Sequence, residues 1–178
     1  MDALRLRLDP RRCRAAYDSA RPFPHIDLED LFPDELLDRI REDFPGPDDP
    51  AWNRFENENE KKLGNYTRLD NTSDAIRWFL SALNSPEMLV FLERLTGIDG
   101  LIPDPYFGGG ALHQTVRGGF LKVHADFNWH PKLRLDRRLN VLIYLNRDWK
   151  PEYGGGLELW NCALTGPEKT ILPIFNRT

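Results

Sequence analysis

The 178 residues suffice for one domain with a sizeable core; 40% of them are hydrophobic and 29% charged, ordinary values for a globular protein. No apolar run approaches the roughly 18 residues of a membrane span, and the N-terminus MDALRLRLDPRRCR has charge where a secretory signal needs an apolar core, so a cytoplasmic protein is expected. The net charge of −4 argues against nucleic acid as main ligand, and Cys13 and Cys162, without metal-site spacing, read as reduced thiols.

The charge is unevenly spread. Residues 27–60 hold 13 acids against 3 bases, and residues 117–150 hold 8 bases against 3 acids. Both read first as solvated faces. The basic stretch would also suit a dianionic small molecule or an acidic partner.

In chain order, residues 1–20 are basic and weakly patterned, a strand or a loose arm. Arg21-Pro-Phe-Pro-His25 is extended, because each proline biases its predecessor away from the helix. Pro33, Asp34 and Glu35 open a helix near 34–44, with Leu36, Leu37, Ile40 and Phe44 as its stripe and Pro45 as its stop. Residues 45–71 are polar without a clean period and read as a long surface loop or lid, anchored by Trp52, Phe55 and Tyr66. The sequons at Asn65, Asn71 and Asn176 carry no meaning without export. Thr72 or Ser73 caps a helix near 73–83 with Ile76, Phe79, Leu80 and Leu83 on one face. Ser85-Pro86-Glu87 starts a third near 86–96, striped by Met88, Phe91, Leu92 and Leu95 and ended by Gly97. These stripes are expected to pack on the sheet that follows.

From Pro103 the period changes to strands. Ala111–Val116 and Phe120–Asp126 are joined by a Gly118-Gly119 turn. Leu139–Leu145 is apolar on both faces, as a strand covered on both sides would be. Gly154–Gly156 turns the chain into Leu157–Trp160, and Thr170–Ile174 begins another strand. The triple glycine lacks the Lys-Ser/Thr and the helix of a phosphate loop. No nucleophile elbow is present.

Within this region stands His124-Ala125-Asp126. On a strand the two side chains would share a face and reach one ion, two-thirds of the two-His-one-carboxylate triad of non-haem Fe(II) sites. By itself the triplet equally describes a solvated strand end. It is followed, however, by Tyr144-Leu-Asn-x-x-Trp149 and by Gly154-Gly-x-Leu-x-Leu. Preceded by Gly119-Phe-Leu-Lys-Val, this ordered set resembles the iron(II)/2-oxoglutarate-dependent dioxygenases, specifically their prolyl 4-hydroxylase-like branch, closely from about Gly108 to Asn176.

The resemblance implies a mainly β, α+β fold: a double-stranded β-helix (jelly-roll, cupin-like) core over 103–178, with 1–102 as helical support in a single domain. It implies Fe(II), 2-oxoglutarate, O2 and ascorbate, with 2-oxoglutarate decarboxylated to succinate and CO2 as a C–H bond is hydroxylated. The substrate would be peptidyl, a prolyl residue included, or a small molecule. His124 and Asp126 would be the metal ligands. Tyr144 would bind 2-oxoglutarate, with Asn140 and Leu142 on its face and Gln114 toward the same cavity. Trp129 would contact substrate or pin its loop, Trp149 and Trp160 would be core, and Arg137 or Arg138 would be surface charges or orient the site from outside. His113 and His25 read as ordinary histidines.

In the resembled family a second His, well downstream of the Gly-Gly-x-Leu element, is the third ligand, and a basic residue after it clamps the distal carboxylate of 2-oxoglutarate. Only His130 follows Asp126, and it is too near. The five or six strands are also fewer than the roughly eight of a jelly roll. The sequence therefore reads as a family member short of its C-terminal segment, with the third ligand and the clamp expected beyond Thr178. A chain ending at Thr178 is expected to bind Fe(II) weakly and to be poorly soluble unless another chain covers its open edge. The alternative is a non-catalytic binding domain of the same fold.

Overall fold

The three expected helices form where their caps place them. α2 (Asp34–Glu42) starts after Pro33 with two acids in its first turn and two arginines in its last, matching the helix dipole at both ends. α3 (Asp74–Ala82) is capped by Ser73, whose hydroxyl accepts from the N–H of Ile76 at 3.3 Å. α4 (Pro86–Thr96) is capped by Ser85 and closed by Gly97 at φ 70°. The computed structural model describes residues 4–64, 72–108 and 110–178; Tyr66, the sequons at Asn65 and Asn71, and Gly109 lie outside them.

The N-terminal arm differs from expectation. α1 (Pro10–Ser19) is a helix, with the Asp9 carboxylate accepting from Arg11 N at 3.0 Å and proline in the first turn. None of its residues is buried. It therefore carries no apolar stripe by which to recognise it, only the cap.

The helices bury their faces on one another and not on a β core. Leu31, Phe32, Leu37, Ile40, Ile76, Phe79, Met88, Phe91 and Leu95 form the main cluster, joined by Trp52, Leu63 and Leu112. Phe32 and Phe79 meet edge to face at 5.3 Å.

Residues 45–64 are not one long loop. β1 (Asn53–Glu56) and β2 (Glu60–Gly64) form an antiparallel hairpin. Its turn is made by Asn57, whose side chain accepts from Asn59 N at 2.8 Å and Glu60 N at 3.2 Å. β2 is the middle strand of a three-stranded antiparallel sheet, with β3 (Phe120–Leu121) on its other edge. Leu63 also bridges Gln114, so β2 holds both ends of the segment 114–121. The expected Gly118-Gly119 turn closes that segment, Gly118 at φ 78° and Gly119 N donating to Val116 O at 2.8 Å. A Cβ on Gly119 would lie 2.6 Å from Lys61 O and 2.9 Å from Val116 O, both backbone atoms that cannot swing away. Gly119→Ala is expected to cost about 1–3 kcal/mol, read as a lower urea midpoint with an unchanged slope.

Two further hairpins complete the described strands: β4 (Trp129–His130) with β5 (Leu135–Asp136), and β6 (Leu157–Trp160) with β7 (Pro167–Ile171). Lys169 on β7 bonds Asp27. Burial works to raise the Asp27 carboxyl, but the hydrogen bond and charge of Lys169 outweigh it and hold it below its ordinary range. A folded value below the unfolded one means that this stability is present above about pH 3.9 and is lost as pH falls through the lower folded value. Asp27→Asn should therefore flatten the fall of unfolding free energy in that acid window, measured by urea titrations at stepped pH.

The C-terminal segment docks on the helical half. Leu28 and Thr178 exchange both backbone hydrogen bonds at 2.8 Å, and Asp30 N donates to Asn176 O at 3.1 Å. Asn176, at φ 58° and 1% exposed, brackets the backbone of Phe32 with its amide. The opposite edge of this segment meets Tyr144, whose N–H donates to Arg177 O at 2.9 Å.

The architecture is thus α+β, with four helices and antiparallel sheets among the described residues, and no jelly-roll barrel is formed by them. Leu139–Leu145 shows why. An apolar run becomes a strand only when neighbours take its N–H and C=O groups. Here only Tyr144 and Asn146 find such partners, in the segment 174–177. Val141 and Leu142 are exposed, as are Phe120, Leu121, Val123, Phe127 and Trp129. Ala111–Val116 is likewise reduced to its one bridge at Gln114.

Candidate metal centre

His124 and Asp126 lie just past β3, and not on a strand as expected. Their placement begins at β2. Lys122 N donates to Asn59 O at 2.8 Å, which fixes the Lys122 peptide against the hairpin turn. The Lys122 carbonyl then lies 2.8 Å from Nδ1 of His124. A carbonyl only accepts, so Nδ1 donates to it, and in the neutral imidazole the lone pair then sits on Nε2. That Nε2 is 3.5 Å from Oδ1 of Asp126. With the imidazole neutral, these are two electron-pair donors facing each other. Donors closer than twice a metal–ligand bond of about 2.1 Å can share one ion.

The other oxygen of Asp126 is also held. Nδ2 of Asn140 donates to Oδ2 at 2.8 Å, and the Arg137 guanidinium approaches it at 3.6 Å. Arg137 donates to Oδ1 of Asn140 at 2.9 Å, lies 4.5 Å from the centre of the Phe127 ring, and donates its backbone N–H to Asn128 O at 2.8 Å. Each donor of the pair is thus oriented by a partner behind it, the arrangement that metal ligands generally have. The pair is open: the side chains of His124 and Asp126 are 48% and 45% exposed.

The remaining expected residues are placed elsewhere. Tyr144 is tied through its backbone to Asn176 and Arg177, and burial raises its phenol above the ordinary value, against a smaller lowering by Arg177. The phenol is therefore a protonated donor at neutral pH. Gln114 pairs through its backbone with Leu63, and its side-chain Oε1 is buried without a hydrogen-bond partner. Leu142 is exposed, and Trp129 is 49% exposed on β4 opposite Asp136. Among the described residues none of these four bonds to the His124–Asp126–Asn140 group. Trp149 and Trp160, expected in the core, are only part-buried and donate to Gly154 O and to Glu158. Leu121, Lys122, Val123, Glu158, Trp160 and Leu164 line an open groove of about 460 Å³, of which neither His124 nor Asp126 is a lining residue.

His130 is committed to structure. Its Nδ1 accepts from Leu133 N at 3.1 Å, its Nε2 lies 3.4 Å from Asp104 Oδ1, and its ring stacks on Tyr106. Among the described residues no three His, Cys, Asp or Glu side chains converge to hold a metal. The donors present fit Fe(II) in kind and orientation at two positions.

Of the partners behind the pair, Arg137 was readable as a residue that could orient the site from outside and Asn140 was expected on the Tyr144 face, whereas the Lys122 carbonyl was not foreseen. The Asn57-Glu-Asn59 turn was a visible hairpin signal, whereas nothing in the sequence announced that Asn140 reaches back to Asp126. Both donors, with Asn140 and Tyr144, fall in one segment with a recognisable pattern. Residues 110–178 match the model of the 2OG-Fe(II) oxygenase superfamily. No curated protein and no solved structure matches the chain. The match supports a general oxygenase function and, with it, Fe(II), 2-oxoglutarate, O2 and a substrate. The matched segment begins just before the bridge to β2, so the helices and the hairpin that carry the core and hold Lys122 lie outside it. No helix among the described residues is long and apolar enough to cross a membrane.

Proposed function

We propose that the protein is an Fe(II)- and 2-oxoglutarate-dependent dioxygenase of the prolyl 4-hydroxylase-like kind, hydroxylating a C–H bond of a peptidyl or small-molecule substrate. The observation that carries this is the orientation of His124: its Nδ1–H donates to the Lys122 carbonyl, and its Nε2 faces Asp126. His124 and Asp126 hold the metal, which when bound supplies the activation of O2 that no side chain can provide. The chain's own residues orient and protect. The Lys122 carbonyl fixes the imidazole, Asn140 holds the carboxylate, and the protonated phenol of Tyr144 and the side-chain amide of Gln114 offer hydrogen bonds to 2-oxoglutarate, with Leu142 as an apolar contact. Trp129 presents its exposed ring to the substrate.

A second reading, a binding domain that retains two donors and no turnover, is favoured by the lack of a convergent third donor among the described residues. Succinate formation from 2-oxoglutarate, with Fe(II), ascorbate and O2, separates the two. Turnover above the metal-only background supports the oxygenase. Saturable Fe(II) binding with no succinate supports the second reading. Neither binding nor turnover sinks both.

A further inference from the structure

We propose that Asn140 is a positioning residue for the metal-facing carboxylate, and that Arg137 sets which end of its amide Asp126 meets. The proposal rests on the metal reading of His124 and Asp126.

A carboxylate on a short stem rotates, and at 45% exposure no packing stops Asp126 from turning. It is stopped by one strong contact, Nδ2 of Asn140 to Oδ2 at 2.8 Å. With Oδ2 engaged, Oδ1 is left to face Nε2 of His124 at 3.5 Å. An amide can also present its oxygen, which would repel the carboxylate. Arg137 excludes that arrangement: a guanidinium only donates, so the 2.9 Å contact to Asn140 identifies the atom there as Oδ1. Arg137 is itself placed by the Phe127 face and by its backbone bond to Asn128. The relay runs from Arg137 through Asn140 to Asp126, and it ends on the oxygen that the ion does not need.

The neutral amide supplies the hydrogen bond to Oδ2, while the guanidinium acts on that oxygen only as a nearby charge, at 3.6 Å. Asn140 also lies 14 residues from Asp126 in sequence, so the contact ties the segment before Tyr144 to the His124–Asp126 loop.

The test is a Co(II) titration of the full chain, followed by the visible ligand-field spectrum, with thermal unfolding alongside. Asn140→Leu keeps the volume and removes the donor; Asn140→Ser is too short to reach Asp126 and serves if the leucine variant folds poorly. Either should weaken Co(II) about 10–100-fold, the range expected when a ligand's orienting partner is lost, and alter the spectrum, with the unfolding midpoint unchanged. Asn140→Gln, which keeps the amide, should return to within about threefold of wild type. A readout without metal is the Asn140 side-chain amide resonance, which should shift in Asp126→Ala. If Asn140→Leu binds Co(II) like wild type while Asp126→Asn has lost it, the metal reading stands and the positioning role is wrong. If wild type and Asp126→Asn bind equally, or neither binds, the metal reading fails and takes this proposal with it.

Discussion

Asp126→Asn is expected to lower Fe(II) affinity more than about a hundredfold, beyond what loss of an orienting partner produces, and to bring succinate formation to background. The substitution keeps shape and removes charge. Asp126 is the carboxylate that faces Nε2 of His124, so its loss leaves one imidazole, exposed to water, to hold the ion. His124→Ala should have the same consequence from the other side, because the Lys122 carbonyl then orients nothing. Neither side chain is buried, so both variants should unfold near the wild-type temperature. Anaerobic calorimetric titration with Fe(II) measures the affinity, and a coupled succinate assay measures turnover. His130→Ala is the contrasting control. Its ring nitrogens meet Leu133 and Asp104, so it should lose stability and keep metal affinity. Full turnover by Asp126→Asn would end the assignment.

The second large effect is on stability. Asn176→Leu should cost at least about 3 kcal/mol, from unpaired groups and from backbone strain. The amide accepts from Phe32 N at 3.3 Å and donates to Phe32 O and to the half-exposed Asp34 at 2.8 Å, and leucine leaves the two buried Phe32 groups unpaired at about 1–3 kcal/mol each. Asparagine tolerates a φ of 58°, whereas leucine is strained there. The site is 1% exposed, so water cannot replace the lost bonds. Against a typical total of about 5–15 kcal/mol, the variant should sit close to unfolding at 37 °C. Urea titration followed by far-ultraviolet circular dichroism gives the value. A loss under about 1 kcal/mol would mean that the segment 174–178 is not anchored on Phe32 as described.

The helices were legible for reasons that are local. Ser73, Ser85 and Gly97 act within one turn of the residues they cap, and the stripes they bound repeat at helical spacing. α1 was missed because its Asp9-Pro10 start stands alone, with no buried face behind it. The strands were less legible because their partners are remote. Leu139–Leu145 has the composition of a buried strand, but composition supplies no hydrogen-bond acceptor. β2, in a stretch read as loop or lid, is central because Gln114, Phe120 and Leu121 come to it from more than 50 residues away. At the candidate site the donor types were readable from His124-x-Asp126, and their orientation was not. The expectation of two side chains on one strand face gives way to an imidazole turned by a carbonyl two residues earlier and a carboxylate held by an amide 14 residues later.

The pairing of Leu28 with Thr178 and of Phe32 with Asn176 sets a timetable for biosynthesis. The partners are separated by 144 residues or more. A ribosome delivers the chain from the N-terminus, at about 5–20 residues per second. The Phe32 peptide, just before α2, therefore waits on the order of ten seconds with its N–H and C=O bonded only to water. During that interval the nascent helices can associate only loosely, and the edge at Leu28–Asp30 is open to any extended chain that passes. Long loop closure of this kind slows folding more than it weakens the finished structure. Translation-coupled assistance should matter most for this protein in the moments before Asn176 emerges.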